Sequence, residues 1–449
     1  MLSKWKKILL LALPSIVSFA SMTLTGTIGL IMVGELGALA IAVVGVSNIV
    51  MYNAWALFSG IGHTVNYLVA QNYGGNTMRQ GIERTYIALY LCAMAGALVL
   101  LTGSAANDDI LRLIGGSPDL VSEGSDYLGI RFYAMVFSIF TFAFHGFFRG
   151  IEDTRTPMLI SLIGNLAVVF FTYTLTYGHW GFPNLGLAGA GWAIFCGETI
   201  SFILSVYVYF CRLHNRFGTR MKVGLNLFES RLILLESSKL GFQEFALSIS
   251  MFIFTMFVTR LGTHALAANE IALNVMGFGF MPAFAFGSTA TILVGQEIGR
   301  GKRIAARRWG TDTAILGSLL MFALGTVEFI FAEPIARIYT DDPKVYQLTA
   351  YLLKISAYLQ IFDGLVMIYS GGLRGIGDTS FLLWSSLFLS WLLFLPLCYL
   401  LTFVFQWASI GSWLSLYIFI MVYGITVMIR YYRVDWLSIQ AKAAHPPSA

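Results

Sequence analysis

Two stretches decide how this chain is read: FRGIEDTRTPM at residues 148–158 and LRGIGDTSFLL at residues 373–383. Five of their first seven residues agree, and Arg149 and Arg374 lie 225 positions apart in a chain of 449. A charged turn written twice at half the chain's length predicts a duplicated architecture. The same offset recurs at two other places. LVAQNYGG puts Gln71 and Gly74 where LVGQEIGR puts Gln296 and Gly299, and LGALAIAVVGVSN from Leu36 pairs with LGTHALAANEIALN from Leu261. Three landmarks with one spacing mean two homologous halves with almost no insertion between the landmarks. A looser pair, GAGWAI around Trp192 and IGSWLS around Trp413, is offset by 221, which shortens the last loop of the second half.

The medium in which those halves fold follows from composition. The chain is 57% hydrophobic and 11% charged, with a mean hydropathy of +0.75, values that belong to integral membrane proteins. Runs of about 20 apolar residues, each enough to cross roughly 30 Å of hydrocarbon as a helix, are expected at 8–33, 45–70, 85–103, 125–148, 157–178, 187–211, 235–260, 268–295, 311–331, 348–372, 380–404 and 410–432. The fold class is all-α integral membrane, twelve helices in two six-helix bundles. Because six helices separate each landmark from its copy, equivalent helices run the same way and the repeats are parallel, related by a pseudo-twofold axis along the membrane normal around a central cleft. The expected division is an amino-terminal lobe at 1–211, a polar linker at 212–234 and a carboxy-terminal lobe at 235–449. The basic start, MLSKWKK, leads a run too long for a removable leader and is read as the first spanning helix.

The net charge of +5 raises the question of a nucleic-acid partner. With both termini placed in the cytoplasm, 22 of the 28 Lys and Arg residues fall on the inner side and six outside. That bias is topological, orients the chain in the cell membrane and points to no nucleic acid. The four cysteines lie in or at the ends of spans without CxxC spacing, as packing residues. In the repeated turns, Arg149 and Asp153, like Arg374 and Asp378, stand four apart and are expected to face each other across a tight inner turn.

Taken together, LGALAIAVVG, VAQNYGG, FRGIEDTRTPMLISLIGN with GLAGAGWA, and their second-half partners resemble the MATE family, the multidrug and toxic compound extrusion transporters, over essentially the whole chain. The resemblance implies two six-helix bundles and export of amphipathic, often cationic small molecules in exchange for Na+ or H+, without a cofactor, by a bilayer-embedded monomer that is not an enzyme. It also implies a coupling-cation role for Asp363, eleven residues before Arg374, and for Glu244, which stands about one turn early for the family's seventh-helix glutamate. The family's first-helix aspartate, in segments like FVDTIMVG, is replaced here by Gly29 in TIGLIMVG, and the fifth-helix polar partners after Asn165 appear as Val168 and Thr172. Coupling is therefore expected in the second half.

The residues themselves point the same way. Ionisable groups inside spans are costly and mark pathways. Those set well within spans are Glu198, Glu244 and Asp363, with His63 and His145, and none of the acids has a Lys or Arg at helical spacing. Glu198 and His63 are additional candidates; the plainer alternative for each is a hydrogen bond that packs two helices. The aromatic content of 15%, with 17 Met, suits a cleft for flat hydrophobic cations. The rival reading, a lipid-linked oligosaccharide flippase of similar architecture, calls for several basic groups in the cleft, and no Lys or Arg is clearly mid-membrane. HExxH and GxSxG motifs are absent from the sequence, which removes two common hydrolase classes.

Overall fold

The computed structural model describes residues 2–113, 118–224 and 226–442. Hydrocarbon offers backbone groups no hydrogen-bond partner, so apolar runs of this length satisfy themselves as helices. Among the described residues, twelve segments are long and apolar enough to span, one bent pair being counted as a single span: α1 (Leu2–Gly34), α2 (Ala38–Gly74), α3 (Met78–Ala105), α4 (Pro118–Gly150), α5 (Arg155–Tyr177) and α6 (Gly186–Tyr207) in the first half. The second half contributes α7 (Leu227–Thr259), α8 (Thr263–Gly299), α9 (Arg303–Ile330), the two-part α10 (Pro343–Ser356 and Leu359–Ile376), α11 (Thr379–Val404) and α12 (Ala408–Arg433). No strand occurs among the described residues. The architecture is the all-α one expected, with several helices running past their apolar cores.

The described chain forms two compact units. The first comprises residues 17–69 and 77–241. Within it the start of α7 is seated on α2 and α3. Arg84 Nε donates to Glu229 Oε2 at 2.8 Å with both side chains under 5% exposed, and the Tyr67 hydroxyl donates to Glu236 Oε2 at 2.8 Å. Gly60 and Gly241 permit the approach, since a Cβ at Gly60 would lie 2.1 Å from Ser237 O and one at Gly241 2.0 Å from Leu57 O. Residues 212–234 thus hold a helical turn at His214–Phe217, an irregular stretch over 218–224 and, from Leu227, the opening turns of α7.

The second unit comprises, among the described residues, 2–16, 70–76 and 242–442. Repeat-equivalent glycines set the closest helix crossings. A Cβ at Gly146 in the first unit would lie 2.4 Å from Gly62 O, and one at Gly371 in the second would lie 2.0 Å from Gly287 O, both pairs being 225 residues apart. Small residues let membrane helices approach in this way. A reciprocal contact joins the ends of α2 and α8: a Cβ at Gly74 would meet Gln296 O, and one at Gly299 would meet Gln71 O, each at 1.9 Å. The two parts of α10 meet at 48°, and the break packs on α9, where Gly325 lets the backbone approach Ala357 O.

The duplicated turns depart from expectation. Positive φ at Glu152 (66°) and Gly377 (81°) ends the helix between each arginine and its aspartate. Asp153 instead accepts from the Thr156 amide at 3.0 Å and hydroxyl at 2.6 Å, at the start of α5. Asp378 accepts from Arg430 Nε at 2.8 Å. The two arginines remain on the helices, buried.

Candidate functional site

In the second unit the acids concentrate around α9 and α10. Asp363 lies one turn past the break in α10 and is 5% exposed, and its Oδ2 has no hydrogen-bond partner. Glu328 of α9, 4% exposed, is close enough to act on it electrostatically. Glu328 is itself tied down: Ser356 Oγ donates to its Oε1 at 2.6 Å, and Gln360 Nε2 donates to its Oε2. Two carboxyls in a low-dielectric interior repel if both are charged, and a shared proton or monovalent cation relieves that repulsion. Carboxylate and hydroxyl oxygens together form a hard donor set, suited to alkali and alkaline-earth ions.

Glu244 is elsewhere. Its Oε1 lies 3.8 Å from Arg374 Nη2, and Arg374 stands eleven residues beyond Asp363 on the same helix, about 16 Å at 1.5 Å per residue. The two expected coupling residues therefore lie at different depths of the second unit. Glu244 also has a cationic partner, supplied by another helix and invisible to spacing along its own.

The first unit holds a cavity of about 460 Å³. Glu198 of α6 lines it, half-buried, with Ser138 within hydrogen-bonding reach and Arg131 as the cation acting on it. Arg131 donates to Asn48 Oδ1 at 2.9 Å and to the Tyr127 hydroxyl at 3.0 Å. Arg149 and His145 lie on the same wall, and Phe19, Tyr52, Trp55 and Phe142 supply aromatic surface. His63 is 5% exposed and sits behind this wall, its ring edge-on to Phe142 at 5.2 Å. Asn165 donates to Ser21 Oγ at 2.8 Å, while Thr172 turns back onto Val168 O of its own helix at 2.8 Å. Gly29 has no atom within 4 Å of where its Cβ would be.

Two features escaped the sequence reading. Glu328 falls at the end of its apolar run, where a charge reads as interfacial, yet the helix continues to Ile330 and the residue is buried. Arg131 and Arg149 both line the cavity. The expectation that no basic group lies inside is corrected accordingly: α4 extends to Pro118, thirteen residues before Arg131. Among the described residues no group of three or more His, Cys, Asp or Glu could hold a metal ion.

Comparison with known proteins bears on this arrangement. The family model described as MatE matches residues 14–174 and again 240–400. A probable multidrug resistance protein NorM of Thermotoga maritima is 26% identical over 423 residues, covering 92% of this chain and 88% of the relative. Another of Bacillus cereus is 28% identical over 440 residues, covering 96% of each. Among solved structures, MATE in complex with MaD3S superposes with a TM-score of 0.88 at 18% identity, covering 96% of this chain and 95% of the other. MATE in complex with Br-NRF superposes at 0.77 and 17% identity over the same shares.

Proposed function

The chain belongs to the MATE family, and from that premise we propose that it is a secondary transporter that exports amphipathic compounds in exchange for Na+ or H+. Its multidrug-efflux character agrees with the names of its relatives, and it is a transporter, not an enzyme. The observation that carries the coupling half of the proposal is the buried Asp363 carboxyl, with an unpartnered oxygen, beside Glu328. A cation arriving from outside neutralises this pair. The two lobes then expose their sites to the other side of the membrane in an alternating-access cycle. One charge moving down roughly 100 mV supplies about 2.3 kcal/mol, which sustains on the order of a fifty-fold gradient of a neutral substrate.

Substrate is assigned to the cavity of the first unit, whose volume falls in the range of small-molecule pockets. The protein is read as a monomer in the cell membrane with both termini cytoplasmic, as the distribution of Lys and Arg favours. Glu244 holds Arg374 in position on this reading, and His63 supports the cavity wall through Phe142. The flippase alternative gains Arg131 and Arg149 as basic groups, but Glu198 beside Arg131 opposes the pyrophosphate such a substrate would carry. Cells producing the protein should accumulate a fluorescent lipophilic cation more slowly than cells without it. Equal accumulation at verified membrane expression would contradict efflux.

A further inference from the structure

The chain does not leave α12 freely. Val434 departs from helical geometry (φ −57°, ψ 138°) and ends the helix. Asp435 then sets a turn, its carboxylate accepting from the Leu437 amide at 3.1 Å and its carbonyl from the Ser438 amide at 3.2 Å. Trp436 folds back against α12: it is 4% exposed, its ring lies 4.8 Å from that of Tyr431, and its indole N–H donates to Tyr431 O at 2.9 Å. Arg303, at the start of α9, donates to Leu437 O at 2.7 Å. From this double anchor the chain runs to Lys442, whose amide donates to Gln71 Oε1 at 2.9 Å. Gln71, 2% exposed, uses the other end of its side-chain amide to donate to Gly375 O of α10 at 2.8 Å. The Lys442 side chain crosses Gly377, where a Cβ would lie 2.8 Å from its Cε. The repeat marks this crossing: 225 positions earlier the same left-handed place in the turn, Glu152 (φ 66°), carries a side chain, whereas Gly377 (φ 81°) carries none.

We propose that residues 434–442 are a latch on the end of α2, a strap that restrains the transport cycle while it is seated and whose removal speeds that cycle. α2 is one helix from Ala38 to Gly74, yet its residues up to 69 belong to the first unit and residues 70–76 to the second. Alternating access by movement of the units as bodies requires α2 to bend near residue 70 or to release Gln71. The hydrogen bonds of Gln71 oppose both, and one of them comes from the strap. A contact made in one conformation and lost in another biases the equilibrium by its own free energy. For one neutral hydrogen bond that is a factor of roughly two to ten. The strap is built to let go at one end: it grips α2 through a backbone amide at Lys442, while Trp436 and Arg303 keep the other end in place. Its effect on transport rests on the efflux reading, whereas the grip on α2 is measurable without transport.

The test uses the purified full chain in nanodiscs and the variant Lys442→Pro, which lacks the N–H that reaches Gln71. A chain ending at Ser438 is the second variant, and Lys442→Ala, which keeps the amide, is the control. Hydrogen–deuterium exchange of the peptide covering residues 70–76 reads the grip on α2. Initial rates of gradient-driven transport of a fluorescent lipophilic cation in sealed vesicles read its consequence. Lys442→Pro and the shortened chain should exchange roughly two- to tenfold faster than wild type at this peptide. Their Tm should be unchanged and their transport faster, and Lys442→Ala should stay nearer wild type than Lys442→Pro in both readouts. A merely structural role would instead lower Tm and slow transport. Unchanged exchange at 70–76 in Lys442→Pro and in the shortened chain would overturn the proposal, as would faster exchange with transport no faster than wild type. Lys442→Ala indistinguishable from Lys442→Pro would also overturn it, because the amide would then not be the grip. Absence of transport by wild type with the exchange response intact would refute the efflux reading alone.

Discussion

Glu328 and Asp363 bring two buried carboxyls together from α9 and α10, one held by Ser356 and Gln360, the other with an oxygen that meets no donor. In the proposed cycle the two have distinct parts: Glu328 is held in place by its two donors, and Asp363 presents the oxygen that takes the cation. Glu328→Gln should therefore impair gradient-driven export on the order of tenfold, the effect of losing one charge-assisted contact. Ser356→Ala, which removes one of two donors, should cost less. Initial efflux rates at matched expression decide this, and a wild-type rate in Glu328→Gln would remove that residue from the site.

Helix crossings at glycine give a stability prediction with a built-in control. A Cβ at Gly371 would fall 2.0 Å from Gly287 O, whereas one at Gly29 has nothing within 4 Å. Gly371→Ala should destabilise by about 1–3 kcal/mol, the usual cost of overpacking, and Gly29→Ala should not. Melting of the purified variants separates the two, and indistinguishable Tm values would mean that α8 and α10 do not approach as closely as described.

The Arg84–Glu229 pair is nearly fully buried. Removing only the acid leaves a buried guanidinium without its partner carboxylate, at a cost of about 3–5 kcal/mol, while replacing both members by apolar residues restores most of the loss. Glu229→Ala should melt well below wild type, and the double variant Arg84→Met with Glu229→Leu should melt above Glu229→Ala. If the double variant melts no higher, Glu229 matters for a reason other than its charge.

Much of this was legible in the sequence, and what was not has physical causes. The spans were readable because hydrocarbon thickness dictates apolar run length, and the duplication because landmarks such as Arg149 and Arg374 keep one spacing. Asp363 was conspicuous as an acid deep in an apolar run. Glu328 was not, since hydropathy blurs at a helix end and its burial comes from α10 packing over it. The Glu244–Arg374 pair joins residues 130 apart on different helices, which no local pattern reveals.

Orientation can be checked by chemistry from one side. Asn215, exposed in the connection between the two sixfold sets of helices, should be cytoplasmic by the distribution of basic residues. In a cysteine-free background, Asn215→Cys should react with an impermeant maleimide in inverted vesicles and not in intact cells. Reaction in intact cells would reverse the topology.

The most direct test of the central claim uses purified protein in sealed vesicles, with a Na+ or H+ gradient imposed separately and uptake of a fluorescent lipophilic cation followed in wild type and Asp363→Asn. Asparagine preserves the shape of the side chain but can neither release a proton nor neutralise a cation. Wild type should drive transport with at least one gradient, and Asp363→Asn, reconstituted at the same density and orientation, should lose that drive. Wild-type transport by Asp363→Asn under both gradients would contradict the account.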